Sequence, residues 1–196
     1  MKKILIGTHN KGKFKEITYL LSKKIKKISP ISLKIDSPKE TGKTFAANSK
    51  LKAMYFSKFT KLPVISDDSG LCIKALGKKP GIHSARWAKK YGSFLKTMKI
   101  ILKKMKNKKD RTAIFVCSLS FKCPDGKMIT ATGEIKGVIS YKILGKKGFG
   151  YDPIFIPQRE AITFGQMSNS KKILMDHRYI ALSLIHISEP TRQEAI

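Results

Sequence analysis

Two adjacent carboxylates are the residues of this chain best placed to do chemistry. The run Ser66-Asp67-Asp68-Ser69-Gly70-Leu71 follows the apolar stretch Leu62-Pro63-Val64-Ile65. A strand that ends in acids is where α/β enzymes hold a metal, because side chains at strand ends converge on a crevice. At a buried edge two neighbouring carboxylates repel strongly unless a cation joins them. The same run also fits a solvated turn. A further acid, Glu40, sits in Glu40-Thr41-Gly42-Lys43-Thr44-Phe45, ahead of a predicted helix that carries Asn48 and Lys52. Those two are four residues apart and share a helical face. Glu40 could join Asp68 as a second metal carboxylate. Few carboxylates, completed by phosphate oxygens and water, are what magnesium prefers. Read plainly, Thr44 is also a helix-start signal.

Three other segments ask for a phosphorylated, flat ligand. Gly7-Thr8-His9-Asn10-Lys11-Gly12-Lys13 follows a predicted strand and opens a predicted helix. A helix N-terminus offers unpaired N–H groups and partial positive charge, so it binds phosphate. The spacing is not that of a Walker loop, and Asn10 serves equally as an ordinary N-cap. Gly148-Phe149-Gly150-Tyr151-Asp152-Pro153 sets an aromatic between glycines. Glycines let backbone approach a ligand; Phe149 could stack on a base and Asp152 accept from its edge. A tight turn with a buried aromatic is the alternative. Lys172, His177 and Arg178 lie late in the chain. Arg178 is a fixed multi-donor group able to read a carbonyl oxygen, although a lone helical histidine is more often structural.

The elements that must position these residues follow from periodicity. Strands are predicted at 3–7, 31–35, 64–66 and 71–75, at 112–122 and 128–139 around the hairpin signal Pro124-Asp125-Gly126, and at 154–156. Helices are predicted at 11–22, 44–59, 94–104 and 171–182, the last as the terminal helix. Helices and strands alternate around one clear hairpin. That favours an α/β fold on a long mixed β-sheet flanked by helices, with two lobes and a central substrate groove.

At 196 residues, 41% of them apolar, the chain suits one domain. No apolar run approaches the ~20 residues of a membrane span, so no membrane partner is expected. The basic start gives way to Gly7 after only three apolar residues, which argues against secretion. Three cysteines, Cys72, Cys117 and Cys123, show no metal spacing and no disulfide framework. A cytoplasmic location fits. The net charge of +28 would attract any polyanion. Only five of the 41 basic residues are arginine, the side chain favoured by specific nucleic-acid readers. Lysine spread over every segment looks instead like a codon bias toward A-rich triplets, so no specific nucleic acid is expected. The charge could still speed capture of a small anion.

Taken together and in this order, the motifs resemble the inosine/xanthosine triphosphate pyrophosphatase family. The matching stretches are residues 8–13 with Glu16, 40–48 with Lys52, 66–71, 80–87, 111–117, 148–155 and 172–178. The resemblance implies hydrolysis of deaminated purine nucleoside triphosphates (ITP, dITP and XTP) to a monophosphate and pyrophosphate. It implies that Thr8, His9, Asn10, Lys11, Gly12, Lys13 and Lys52 hold the triphosphate. Glu40 and Asp68 bind Mg2+, with Asp68 also the proton acceptor. Ser69 contacts substrate, and Phe149, Gly150, Tyr151, Asp152, Lys172, His177 and Arg178 form the nucleoside pocket. Glu16 and Arg86 are given supporting roles. A homodimer is also implied. Asp176 stands where the family usually has serine, and His83 where it usually has tyrosine. From Ser183 the match fails, so 1–182 is expected to be the domain and 183–196 a foreign or disordered tail. The competing readings are a basic nucleic-acid-binding protein and a related pyrophosphatase for other modified nucleotides.

Overall fold

The computed structural model describes residues 2–188. Seven strands form one mixed sheet: β1 (Lys3–Ile6), β2 (Lys26–Ile28), β3 (Val64–Ile73), β4 (Lys79–Pro80), β5 (Thr112–Lys122), β6 (Met128–Ile139) and β7 (Phe155–Pro157). Their order is β2-β1-β3-β5-β6-β7, with β4 paired to β3. β1 runs parallel to β2 and β3, whereas β3–β4 and β6–β7 are antiparallel. The helices are α1 (Lys11–Leu20), α2 (Phe45–Ser57), α3 (Ser84–Lys90), α4 (Phe94–Lys104), α5 (Asn169–Ile173) and α6 (His177–Ser188). Among the described residues, no helix is long and apolar enough to cross a membrane.

The chain groups into two compact units. Unit 1 comprises residues up to Asp68, Cys117–Gly133, and the chain from His177; unit 2 comprises Ser69–Val116 and Glu134–Asp176. Each has its own apolar core, the driving term for its collapse. In unit 1, Ile4 and Ile6 of β1 pack with Ile17 of α1, Ile65, Leu119 and Phe121 of the sheet, and Ala181, Leu182 and Ile185 of α6. A second unit 1 cluster joins Leu5, Ile35, Phe56 and Val64. In unit 2, Leu71, Ile73, Met98, Ile101, Phe115, Tyr151, Phe155 and Phe164 form the core. Buried Arg111 serves unit 2 as a fastener. Its guanidinium donates to the carbonyl oxygens of Ile139, Met105 and Ser140 at 2.6, 3.1 and 2.7 Å.

The helices that carry site residues start where their caps dictate. Asn10 Oδ1 accepts from Lys13 N at 3.1 Å to open α1, and Thr44 Oγ1 accepts from Ala47 N at 3.0 Å to open α2. Both satisfy an orphan donor of the first turn. The parallel register pairs Leu5 with Val64 and Ile6 with Ile65. The turn after β1 therefore begins level with Ser66. Gly7 is needed there, since a Cβ would lie 2.1 Å from Ser66 Oγ.

Several elements differ from those predicted. Residues 66–71 are not a turn: β3 runs unbroken from Val64 to Ile73, absorbing the two short strands expected at 64–66 and 71–75. Residues 31–35 are not a strand. Pro30 leads into a 3-10 turn, Ile31–Leu33, and the strand is β2, whose lysines mark a sheet edge. Helix α3 was not predicted. The helix expected at 171–182 is two, interrupted at residues 174–176, and α6 continues to Ser188 with Ile185 in the unit 1 core. The expected tail is therefore helical over residues 183–188, and the remainder, 189–196, lies outside the described residues.

The approach of α6 to β6 rests on Gly133. A Cβ there would sit 2.3 Å from the His177 carbonyl oxygen and 2.4 Å from Ala181 N. Gly133→Ala is expected to destabilise the protein by about 1–3 kcal/mol, the usual cost of overpacking. A lower urea midpoint at unchanged slope would show it, and a wild-type midpoint would refute the close approach.

Candidate active site

The two neighbouring acids of β3 point to opposite faces, as strand alternation requires. On one face Asp68 meets α2. Its Oδ2 accepts from Asn48 Nδ2 at 3.0 Å, and its Oδ1 lies 3.8 Å from Lys52 Nζ. Lys52 Nζ also donates to Glu40 Oε1 at 2.6 Å. Asn48 and Lys52 share a helical face, as expected, and that face meets Asp68. Asn48 does a second job: its Oδ1 accepts from Gly42 N at 2.8 Å, which ties the segment after Glu40 to α2. Glu40, Lys52 and Asp68, far apart in sequence, meet at one ammonium.

The electrostatics of this face turn on the Lys52 ammonium and the carboxylates round it. Burial alone would lower the pKa of Lys52, but Asp67, Asp68 and Glu40 raise it above the ordinary lysine value. Burial raises the pKa of Asp68, with Glu40 adding to the effect, and Lys52 and Lys13 only partly oppose it. A carboxylate whose charge is poorly solvated gains from a divalent ion. Among the described residues no group of three or more His, Cys, Asp or Glu converges as a metal cage. The donor set on this face is a carboxylate pair, which suits magnesium with phosphate and water as its other ligands.

The opposite face was not foreseen. Asp67 has 0% exposure and joins two cations: Lys13 Nζ at 3.1 Å and Arg178 Nη2 at 3.4 Å. Burial would raise its pKa, yet Lys13, Arg178 and Lys52 hold it well below the usual carboxylate range. Arg178 Nη1 donates to Glu16 Oε2 at 2.7 Å and lies 3.1 Å from His177 Nε2. The guanidinium that sequence reasoning aimed at a base oxygen is directed at two carboxylates. Glu16, given a supporting role, is therefore a full member of the cluster. The signal for Asp67 was present in the strand period, had residues 66–71 been read as strand.

The loop after β1 contributes unequally. Thr8 Oγ1 accepts from Asn10 N at 3.2 Å, and Asn10 caps α1. His9 Nε2 donates to the Ile35 carbonyl at 3.0 Å. Lys13 reaches the acids, whereas Lys11 is exposed and Gly12 half-buried.

Unit 2 gathers a second cluster. Asp152 Oδ2 accepts from Phe149 N at 2.8 Å and from Lys172 Nζ at 2.7 Å. Gly148 and Gly150 take φ +72° and +68°, and a Cβ on Gly148 would strike Asp152 Oδ2. Lys172 Nζ lies 5.3 Å from the Phe149 ring centroid and 5.4 Å from that of Phe164, within cation–π range. A nearly buried ammonium is thus fixed between a carboxylate and two rings. Tyr151, between Phe149 and Asp152 in sequence, also packs into the core, with 2% exposure, its hydroxyl donating to Ser84 O at 2.9 Å and its ring edge-on to Phe94. Ser69 follows Asp68 directly on β3 and is half-buried.

Comparison with known proteins gives concordant matches. The Ham1 family model matches residues 4–186. A dITP/XTP pyrophosphatase of Haemophilus influenzae is 40% identical over 189 residues, 94% of this chain and 97% of that one. One of Caulobacter vibrioides is 39% identical over 178 residues, 90% of this chain and 92% of that one. Among solved structures, the Staphylococcus aureus Ham1 protein superposes with a TM-score of 0.85 at 34% identity, covering 98% of this chain and all of that one. A nucleoside-triphosphatase / dITP/XTP pyrophosphatase of Mycobacterium abscessus gives 0.74 at 30%, covering 94% and 98%. With a family match over nearly its whole length and relatives this similar end to end, the chain belongs to the Ham1 family.

Proposed function

We propose that this protein hydrolyses deaminated purine nucleoside triphosphates, ITP, dITP and XTP, to the monophosphate and pyrophosphate, using magnesium. The observation that carries the reading is the meeting of Glu40, Asp68 and Lys52 on one face of β3. The names of the relatives support the substrate class.

Charge balance explains why a divalent ion belongs here. The unit 1 cluster sets Lys13, Lys52 and Arg178 among the carboxylates of Glu16, Glu40, Asp67 and Asp68. A triphosphate carrying roughly four negative charges would be repelled by such a cluster until further positive charge arrives. Glu40 and Asp68 would hold magnesium, which when bound neutralises phosphate charge and makes a water more acidic. Lys13 and Lys52 supply donors to phosphate oxygens. Asp68, kept in place by Asn48, accepts the proton of the attacking water. Recognition of the base is assigned to Phe149, as a stacking surface, and to Lys172, as a donor. The 6-oxo group of hypoxanthine accepts a hydrogen bond, whereas adenine's 6-amino group donates one, so a fixed donor favours the deaminated base.

Four measurements test this reading. Asp68→Asn should lower kcat for ITP roughly 10²-fold or more, the usual worth of a general base, with the melting temperature nearly kept; unchanged turnover would sink the assignment. Chelation should abolish turnover and added magnesium restore it. Magnesium alone should raise the melting temperature of the wild type and not of Glu40→Gln. Phe149→Ala should raise KM for ITP by about tenfold, as expected for one lost base stack. An unaltered KM would remove Phe149 from the base site.

A further inference from the structure

We propose that Asp67 is a positioning residue for polyphosphate binding and that it acts through Lys13. The inference rests on the function proposed above. Asp67 is fully buried, so it has no route to a substrate of its own. Lys13, its partner at 3.1 Å, keeps 13% of its side chain exposed and can reach one. The pair therefore divides the work: the hidden carboxylate sets where the ammonium stands, and the ammonium meets the phosphate.

The need for such an anchor follows from the lysine itself. Its stem has four rotatable bonds and loses roughly 2 kcal/mol of rotamer freedom when fixed. Anchoring it before substrate arrives removes that cost from the binding step. Arg178 completes the arrangement. It bridges Asp67 and Glu16, and Glu16 lies three residues beyond Lys13 on the same face of α1. Asp67 is thereby held from α6 while it holds the first turn of α1. Stability alone does not call for this design, since apolar side chains of similar volume often replace buried ion pairs without loss.

A purely structural Asp67 would lower the melting temperature and the folded fraction but leave KM alone, which separates the two roles. With ITP and saturating magnesium, Asp67→Asn is expected to raise KM about tenfold while kcat changes less than threefold. The inhibition constant of inorganic tripolyphosphate should rise by the same factor, locating the effect at the phosphates. In the Lys13→Ala background, Asp67→Asn should add nothing further to KM. An unchanged KM and inhibition constant, or full additivity with Lys13→Ala, overturns the proposal. If Asp67→Asn does not fold, Asp67→Glu decides. It keeps the charge and moves the carboxylate by one methylene, so positioning demands a KM rise of about threefold at near-normal kcat, and a wild-type KM refutes it. A wild-type protein inert toward ITP, dITP and XTP would defeat the functional reading instead, an outcome distinct from active enzyme with an indifferent Asp67.

Discussion

Two ionised carboxylates on successive residues of a buried strand constrain everything around them. Burial disfavours the charge on both, and neither can stay unpaired in a medium that solvates ions poorly. Alternation along β3 resolves half the problem by sending Asp67 and Asp68 to opposite faces. Helices resolve the rest. α1 and α6 bring Lys13 and Arg178 to Asp67, and α2 brings Lys52 and Asn48 to Asp68. The caps at Asn10 and Thr44 and the glycines at 7 and 133 are the local conditions that let those helices arrive. In unit 1 the fold is in this sense arranged around a charge problem.

The two faces solve that problem differently, and the difference separates their roles. Around Asp67 the ion pairs close on themselves: Lys13, Asp67, Arg178 and Glu16 alternate in sign and cancel. Around Asp68 they do not. Glu40 and Asp68 both engage the Lys52 ammonium, and burial works against the ionised form of Asp68. A charge-balanced network holds its members in place, and a carboxylate whose charge burial disfavours has affinity for more positive charge. The first therefore suits holding a ligand group in position, and the second suits a metal ion with a polyphosphate.

Much of this was legible before any coordinates. Asn48 and Lys52 share a face because a helix repeats every 3.6 residues, although their approach to Asp68 emerged only with the fold. The cap at Asn10, the hairpin at residues 124–126 and the glycine-flanked Phe149 carried equally local signals. What was lost depended on partners distant in sequence. Ser66-Asp67-Asp68-Ser69-Gly70 has turn composition, and its place as a strand depends on neighbouring strands and on cations from three helices. β2 was hidden because an edge strand needs few apolar residues, so its lysines read as loop. The core packing of Tyr151 was hidden because it is decided by Phe94 and Ser84, far away in the chain.

Arg178 shows most clearly where reasoning from residue type stops. A guanidinium has donors enough for a base, a phosphate or a carboxylate, and its chemistry does not choose among them. The choice is made by Glu16 on α1 and Asp67 on β3, 162 and 111 residues away. Once both carboxylates are engaged, the energetic role of Arg178 changes. Removing it would leave buried Asp67 with one cation fewer and take from half-buried Glu16 its 2.7 Å ion pair. Its influence on substrate would then run through Asp67 to Lys13, with α6 acting on α1 both through β3 and directly through Glu16. The stretch of α6 beyond Leu182 matters for the same reason. Ala181, Leu182 and Ile185 seat that helix in the unit 1 core, and the guanidinium at its start can be no better placed than the helix that carries it.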